Sequence, residues 1–416
     1  MENNITINNR IPQLRFPGFT GDWEEKSLGE VGVFVRGLSY NKGEVTQDRA
    51  ATLVLRSNNI IQDGVVDCRN GLQFVTKEPS SEQILQKGDI VICLSNGSSN
   101  LVGKSANYEG DYAGIATVGA FCGIYRSTAP ITKYLVQTPA YKKSVELIKQ
   151  GGNGALANLY GRDILGLKFY FPTLEEQNEI VECLEAEDRM IAAQEQKVES
   201  LKAHKKGLMQ QLFPQPGATT PALRFPGFTG EWQFVNGDKL FEPISNKKHN
   251  SDLPILALTQ DQGAVPREMI NYNVAVSDKS VTGYKVVEVD DFIISLRSFQ
   301  GGIEYSRYKG LCSPAYIVLR KKDKTLSSDF YRIYFKSFNY IQNLNKNLEG
   351  IRDGKMISYQ QFSEIMLPLP TANEQIMIAN CISSLDEVIL LESQKLESLK
   401  AHKKGLMQQL FPQLQK

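Results

Sequence analysis

The chain has 416 residues, 41% of them hydrophobic and 22% charged, and a net charge of +1, a composition that points to an ordinary globular protein of two or three domains and away from fibrous or disordered classes. Six scattered cysteines (Cys68, Cys93, Cys122, Cys183, Cys312 and Cys381) form no CxxC pair, and there are only three histidines, so neither a disulfide framework nor a structural zinc site is expected and a reducing cytoplasm fits best. The chain has no basic segment leading into an apolar one at its start and no apolar run approaching about 18 residues, so no signal peptide or membrane span is expected.

The first recognisable phrase is LRFPGFTGDW, Leu14 to Trp23, which returns as LRFPGFTGEW from Leu223 to Trp232. It carries no nucleophile, metal-ligand cluster or phosphate loop. Its Leu, Phe, Pro and Trp suit an anchor at the start of a domain, resting on a helix layer or a partner. Arg15 and Arg224 within it are weak candidates for phosphate contact. Residues 24–171 follow, with short β-branched or aromatic runs (VLRSNNI, QFVTKE, DIVICLS, AFCGIYRS) between Gly, Asn and Asp turns, and a helix predicted over Tyr134 to Gln150. A long helix is then predicted from Glu176 to Leu212. After a linker and the second arm at 215–232, residues 233–369 repeat the mixed pattern with PILALTQ, DFIISLRS and AYIVLRK and a helix over Asp329 to Leu348. Residues 370–416 close with a second long helix and a short tail.

This order is an internal repeat. ESLKAHKKGLMQQLFPQ occurs at Glu199 to Gln215 and, letter for letter, at Glu397 to Gln413, and PTLEEQNEIVECL (Pro172 to Leu184) matches PTANEQIMIANCI (Pro370 to Ile382) at the same offset. KGDIVICLS (Lys87 to Ser95) resembles VDDFIISLR (Val289 to Arg297). The seam Ile180, Leu184, Glu187, Ile191, Gln194, Val198, Leu201, Lys205, Leu208 and Leu212 steps alternately by four and three. Ile378, Ile382, Leu385, Ile389, Glu392, Leu396, Leu399, Lys403, Leu406 and Leu410 repeat it. Two such stripes predict a pair of helices, each roughly 54 Å long, packed antiparallel. Thr173 and Thr371 are the expected N-caps, with Glu176 and Gln177, or Glu374 and Gln375, as early acceptors, and Pro214 and Pro412 end the helices. Gly207 and Gly405 mark either a close backbone approach or a tolerated weak spot costing about 1 kcal/mol relative to alanine. The fold class expected is α+β: two similar domains, each followed by a long helix, in a pseudo-twofold repeat.

Charge divides along the same boundaries. Residues 24–171 hold 16 basic and 14 acidic residues and 233–369 hold 18 and 15, whereas 172–214 hold 5 and 9 and 370–412 hold 4 and 5. Mildly basic domains alternating with acidic helices suit a polyanion at the first pair and protein at the second. No catalytic constellation is present. GSSNLVGKS (Gly97 to Ser105) ends like a phosphate loop but has one residue too many between its glycines and runs into a Gly/Tyr loop instead of a helix. His204 and His402 are copies within the helix repeat and read as surface or interface residues.

The duplicated LRFPGFTG(D/E)W arm, the PTxxEQ helix start, the KGDIVI-type strand and the identical helix ends together resemble the specificity subunit of type I restriction-modification enzymes, over essentially the whole chain. The resemblance implies that each domain is a target-recognition domain reading one half of a split, asymmetric DNA site. It implies that the helices fix the gap and hold two modification subunits, and that restriction subunits can join them. The chemistry would lie in those partners: S-adenosylmethionine-dependent adenine methylation in the modification subunits, and ATP- and Mg-dependent translocation and cleavage in restriction subunits. This chain, with no NPPF- or DPPY-like motif and no bound cofactor expected, would be non-catalytic, and flipping the adenine would fall to the partners. Pseudo-twofold readers facing one side of a duplex would be centred roughly 10 bp apart. A coiled-coil scaffold without sequence-specific recognition is the alternative.

Asn and Gln suit bidentate contacts to adenine, and Arg and Lys to guanine. Candidates at expected loops and strand ends are Arg56, Asn58, Asn59, Asn96, Ser98, Asn100, Lys104, Asn153 and Arg162 in the first domain. Those of the second are Lys247, Lys248, His249, Gln260, Arg297, Ser298, Gln300, Arg352 and Lys355. Each also suits a turn former or a solvated surface residue. The Gly-rich basic stretches GGNGALANLYGR (Gly151 to Arg162) and EGIRDGKM (Glu349 to Met356) stand out, since each precedes the strand leading into a helix.

Overall fold

Ile90–Cys93 is buried at every position, which a strand requires only when both faces of its sheet are covered. A computed structural model of the protein, which describes residues 10–61, 64–150, 158–250, 252–270, 281–295, 298–346 and 357–412, contains both covers. The chain divides into two units, Met1–Gln194 with Lys395–Lys416, and Glu195–Gln394.

In the first unit an antiparallel sheet runs in the order Gly32–Arg36, Cys122–Ser127, Ile90–Cys93, Ser105–Asn107. Ile90, Ile92 and Tyr125 point to a layer of helices carrying Tyr134, Leu135 and Tyr141. Val91, Cys93 and Ile124 point the other way, onto Leu53, Leu55, Phe74 and Val118 of a second sheet. That sheet orders Val45–Thr46, Gln73–Val75, Thr52–Leu55 and Ala116–Val118, its last pair parallel. A separate ribbon pairs Glu24–Ser27 with Lys168–Phe171, so the strand after the arm meets the strand before the long helix.

The second unit keeps the first sheet and reduces the second. Phe241–Ile244, Ile317–Lys321, Phe292–Ile294 and Glu304–Tyr305 form the four-stranded sheet, while Leu256–Thr259 with Gly263–Pro266 and Lys285–Val287 with Gly310–Cys312 remain as pairs. Phe292 and Ile294 face an aromatic core built from Phe241, Phe330, Tyr331, Phe335, Tyr340 and Phe362. Ile293 faces Leu256, Val287 and Val318 on the other side. Gln233–Asn236 pairs with Met366–Leu369, repeating the ribbon of the first unit.

The architecture is α+β, as expected, but each predicted domain helix is two. Thr132–Leu135 is followed by Pro139–Gln150, and Ser328–Tyr334 by Phe338–Lys346. The hydroxyls of Thr138 and Ser337 accept from the amides of Tyr141 and Tyr340 at 3.3 Å, capping a fresh helix at each break, and Pro139 suits the first position of one of them.

The long helices run Leu174–Leu212 and Ala372–Leu410, 39 residues each, or roughly 58 Å. Thr173 Oγ1 accepts from the Glu176 amide and Thr371 Oγ1 from the Glu374 amide, both at 3.4 Å, which places the N-caps as expected. The acidic and amide side chains do not act as helix-start acceptors. Gln177 and Gln375 donate backward to the carbonyls of Pro172 and Pro370 at 3.0 and 2.9 Å, and the two carboxylates are taken by the arms. Seam positions Ile180, Leu184, Val198, Ile378 and Ile382 are buried; Ile191, Leu201, Leu208, Leu385, Ile389, Leu396, Leu399 and Leu406 are half-buried. The first unit's core includes Ile180 and Leu184 with Leu406, Met407, Leu410 and Phe411, and the second's includes Ile378 and Ile382 with Leu208, Met209, Leu212 and Phe213. Polar seam residues are paired: Lys403 with Asp188, Lys205 with Asp386, and Glu392 with Lys197 at 2.6 Å. His402, exposed, lies 3.3 Å from Glu187. A Cβ at Gly207 or Gly405 would meet nothing within 4 Å, so within this chain neither glycine permits a close approach. No helix among the described residues is long and apolar enough to cross a membrane.

Candidate nucleic-acid interface

Each domain is set on its helices by the arm. Arg15 makes a two-pronged contact to Glu176, Nε to Oε1 and a terminal nitrogen to Oε2, both at 2.7 Å, and also donates to the Gly21 carbonyl. Arg224 repeats this with Glu374 at 2.7 and 2.9 Å and with the carbonyl of Gly230. Both carboxylates are 1% exposed, and each hydrogen bond raises its arginine's pKa, so these pairs are charge-assisted bonds locked away from solvent. The arm backbone caps a helix end as well: Leu14 N–H donates to Gln409 C=O at 3.0 Å and Leu223 N–H to Gln211 C=O at 3.0 Å, satisfying carbonyls that a helix terminus leaves unpaired. Gly18, Gly21, Gly227 and Gly230 all hold positive φ, which gives the two arms the same path. Trp23 and Trp232 are buried beneath them. Arg15 and Arg224 are therefore committed to carboxylates and not offered to phosphate.

At one end of the first domain's sheet, four loops converge. Asn96 Nδ2 donates to Ser57 Oγ at 2.7 Å and its Oδ1 accepts from the Ser98 amide at 2.9 Å. Ser95 Oγ donates to Asn158 Oδ1 at 2.6 Å. Arg56 and Asn58 both donate to the Gly71 carbonyl, at 3.0 and 3.4 Å. Ser98, Asn100 and Arg162 are exposed and Lys104 is half-buried; the Arg162 guanidinium stands 5.2 Å over the exposed ring of Tyr160. Asn59 differs from the expectation. It is fully buried, donating to the carbonyls of Asp67 (3.1 Å) and Asn70 (3.0 Å) and accepting from the Arg56 amide (3.0 Å), so it holds a loop and has no donor left for a base. The loop it holds turns on Asp67, whose carboxylate accepts from the Arg69 and Asn70 amides; those bonds, led by the Asn70 side chain, keep its pKa below the usual aspartate value. Exposed Arg69 projects from this turn.

The second domain presents two segments. Lys247 and Lys248 are exposed beside half-buried His249, whose ring nitrogen lies 3.2 Å from the Tyr284 carbonyl. Elsewhere exposed Gln260 packs so closely on Gly301 that a Cβ there would stand 2.7 Å from its amide carbon, next to exposed Gln300. Lys336 fixes this loop from below, donating to the Gly301 carbonyl at 2.8 Å and to Glu304 at 2.7 Å; burial raises the Glu304 pKa and Lys336 opposes that rise. Ser298, 1% exposed, is spent accepting from the Ser295 amide at 2.8 Å and is a loop brace, not a surface donor. Asn153, Arg297, Arg352 and Lys355, with most of the two Gly-rich stretches, lie outside the described residues.

Both domains brace the sheet behind these loops with one device. Arg126 pairs with Asp89 at 2.9 and 3.0 Å, and Arg320 with Asp291 at 2.7 Å twice. The type I restriction modification DNA specificity domain matches residues 20–203 and again 231–401, so two copies account for both halves of this frame. The chain belongs to that family. It is 26% identical over 400 residues to the EcoKI specificity subunit of Escherichia coli K12, covering 87% of this chain and 82% of that one. To the MjaVIII specificity subunit of Methanocaldococcus jannaschii it is 22% identical over 411 residues, covering 94% and 92%. In fold it is similar to the S subunit of a type I restriction-modification system from M. genitalium, with a TM-score of 0.58 at 14% identity and coverage of 97% and 100%.

Among the described residues, the loops at these sheet ends differ between the two halves of this type I specificity subunit, and most of the described candidates lie on them. Arg69, Asn158 and Tyr160 belong with the candidates of the first domain but carried little signal. Arg69 sits in a short turn whose brace, Asn59, is on another loop, and an exposed tyrosine is indistinguishable in sequence from a core one.

Proposed function

We propose that the two domains read the two halves of a bipartite, asymmetric DNA site while the long helices, packed antiparallel, set the gap and dock two modification subunits. The observation that carries this reading is the contrast between arms that repeat their Arg–Glu pairs, helix caps and glycine turns and sheet-end loops that, among the described residues, are braced by different contacts in the two domains. The antiparallel arrangement is supported by the order of the helix contacts. Residues 187 and 188 meet 402 and 403, 197 meets 392 and 205 meets 386, so position rises along one helix as it falls along the other. Asp188 with Lys403 and Asp386 with Lys205 are the same pair in the two repeats, with acid and base exchanged between the helices. Domains at 24–171 and 233–369 then stand on equal mounts, and the exposed Arg and Lys side chains position the duplex while amide side chains specify.

In this reading the chain is non-catalytic and cytoplasmic and binds no cofactor. S-adenosylmethionine belongs to the modification subunits, and ATP and Mg to restriction subunits that join the complex. Methylation sequencing of DNA from cells expressing this chain with its modification subunit is the test. The expected result is one methylated motif with two defined halves and a fixed undefined gap. An assembled complex that leaves no bipartite motif would overturn the function, and binding without sequence preference at any salt concentration would favour a scaffold instead.

A further inference from the structure

Phe121 is 70% exposed, the most exposed large apolar side chain among the described residues, yet its turn is hydrogen-bonded to two neighbouring segments. It sits in the turn Gly119 to Cys122, closed by a 2.8 Å bond from the Cys122 amide to the Gly119 carbonyl. Its own carbonyl accepts from the amides of Leu94 (2.8 Å) and Ser95 (3.1 Å), and Gly119 N–H donates to Leu55 C=O at 2.9 Å. A ring on a rigid turn loses little freedom on binding, which is how a preorganised contact is built.

Its surroundings select the partner. Ser95 leads directly to the Asn96–Ser57 and Ser95–Asn158 bonds, so the ring stands in the loop cluster already described. Residues 94–104 and 118–122, which flank the ring, contain no carboxylate and carry Lys104; Arg162 stands nearby, paired with Asp163 at 3.8 Å, and exposed Arg36 adjoins the turn through the bond from Gly37 N–H to Cys122 C=O. Apolar surface ringed by amides, hydroxyls and cations suits the bases of a polyanion better than it suits an average protein surface.

The second domain supplies an internal comparison. Counting back from the matching braces Arg126 and Arg320, position 121 corresponds to Ala315, in a turn closed the same way by the Tyr316 amide and Ser313 carbonyl at 3.1 Å. The scaffold is kept and the ring is not.

We propose that Phe121 is the apolar base contact of the first domain, laying its ring against the bases of the half-site that this domain reads. The contact rests on the DNA-reading function proposed above. In a duplex the base faces are stacked on one another, so the ring meets base edges, and apolar contact with a thymine methyl adds affinity without hydrogen bonds and discriminates as well.

The test uses the full chain assembled with its modification subunit and duplexes carrying the methylated motif, titrated by fluorescence anisotropy. Phe121→Ala should weaken binding to the full site roughly ten- to hundredfold, with Phe121→Trp restoring most of it. On a duplex whose first half-site is scrambled, the difference between wild type and Phe121→Ala should collapse to about onefold. Assembly and thermal unfolding should be unchanged, because the side chain is exposed. Unchanged affinity of Phe121→Ala on the intact site overturns the proposal. So does failed assembly with the modification subunit, which would make Phe121 a protein contact. A wild-type complex without sequence preference overturns DNA reading itself, an outcome recognisable before any variant is compared.

Discussion

Arg15 and Arg224 meet their glutamates at 2.7 Å, Leu14 and Leu223 cap helix carbonyls at 3.0 Å, and Gln177 and Gln375 donate to the prolines before their helices. The domains carried on these mounts share a frame: a four-stranded sheet, an Arg–Asp brace, a ribbon and a helix broken at a capping hydroxyl each. Beyond it they part. The first has a full second sheet and a loop built on Asn59, and the second has two strand pairs and a dense aromatic core. Even the mounts differ in one detail, since Trp23 Nε1 lies 3.4 Å from Glu176 whereas Trp232 Nε1 is buried without a partner. The Arg–Glu pairs of the mounts join residues 150 or more positions apart, whereas the features that differ are held within each domain.

The comparison breaks most visibly at the mounts. Arg15→Ala and Arg224→Ala each strand a buried carboxylate, so each should cost about 3–5 kcal/mol, and the two losses should agree within about 0.5 kcal/mol. Urea denaturation of the full chain measures both; one large and one negligible loss would refute equal mounts. Asn59→Ala should cost about 1–3 kcal/mol in the first domain alone, by leaving the Asp67 and Asn70 carbonyls unpaired. Hydrogen exchange should locate the loosening at residues 67–71, and loosening of the second domain would contradict the account.

The same loop has a pH signature. Asp67 titrates below the usual 3.8, so its stabilisation is complete above that value and is lost as pH falls through the lowered pKa. Exchange rates at residues 69–71 should therefore begin to rise only below about pH 4, and a rise near neutrality would rule out Asp67 as the brace. The smallest effect belongs to the helices: Gly207→Ala and Gly405→Ala should each stabilise by about 0.5–1 kcal/mol, since nothing meets the added methyl. Destabilisation of the isolated chain would show a contact that the open space around both glycines does not allow.

The helices and arms were legible because their signal is local and doubled. A step of three and four residues, repeated 198 positions later and ending in seventeen identical letters, leaves little choice of structure. Only the two central strands of each four-stranded sheet, Ile90–Cys93 with Cys122–Ser127 and Phe292–Ile294 with Ile317–Lys321, were legible as runs, and the helix breaks at Thr138 and Ser337 were not, because a hydroxyl that caps reads like one that faces water. The loops at the sheet ends were least legible. Asn59 and Ser298 have the composition of surface turn residues, and only partners supplied by the folded chain make them braces. The role of Arg15 was hidden similarly, since its carboxylate lies 161 residues away.

Exchanging one reader while keeping both mounts is the most direct measurement. Residues 24–171 are replaced by the first domain of another type I specificity subunit, the hybrid is expressed with the original modification subunit, and the methylated motif is read by sequencing. The account predicts that one half of the motif changes while the gap and the other half stay as they were. A hybrid that assembles and yet changes both halves, or neither, would contradict it.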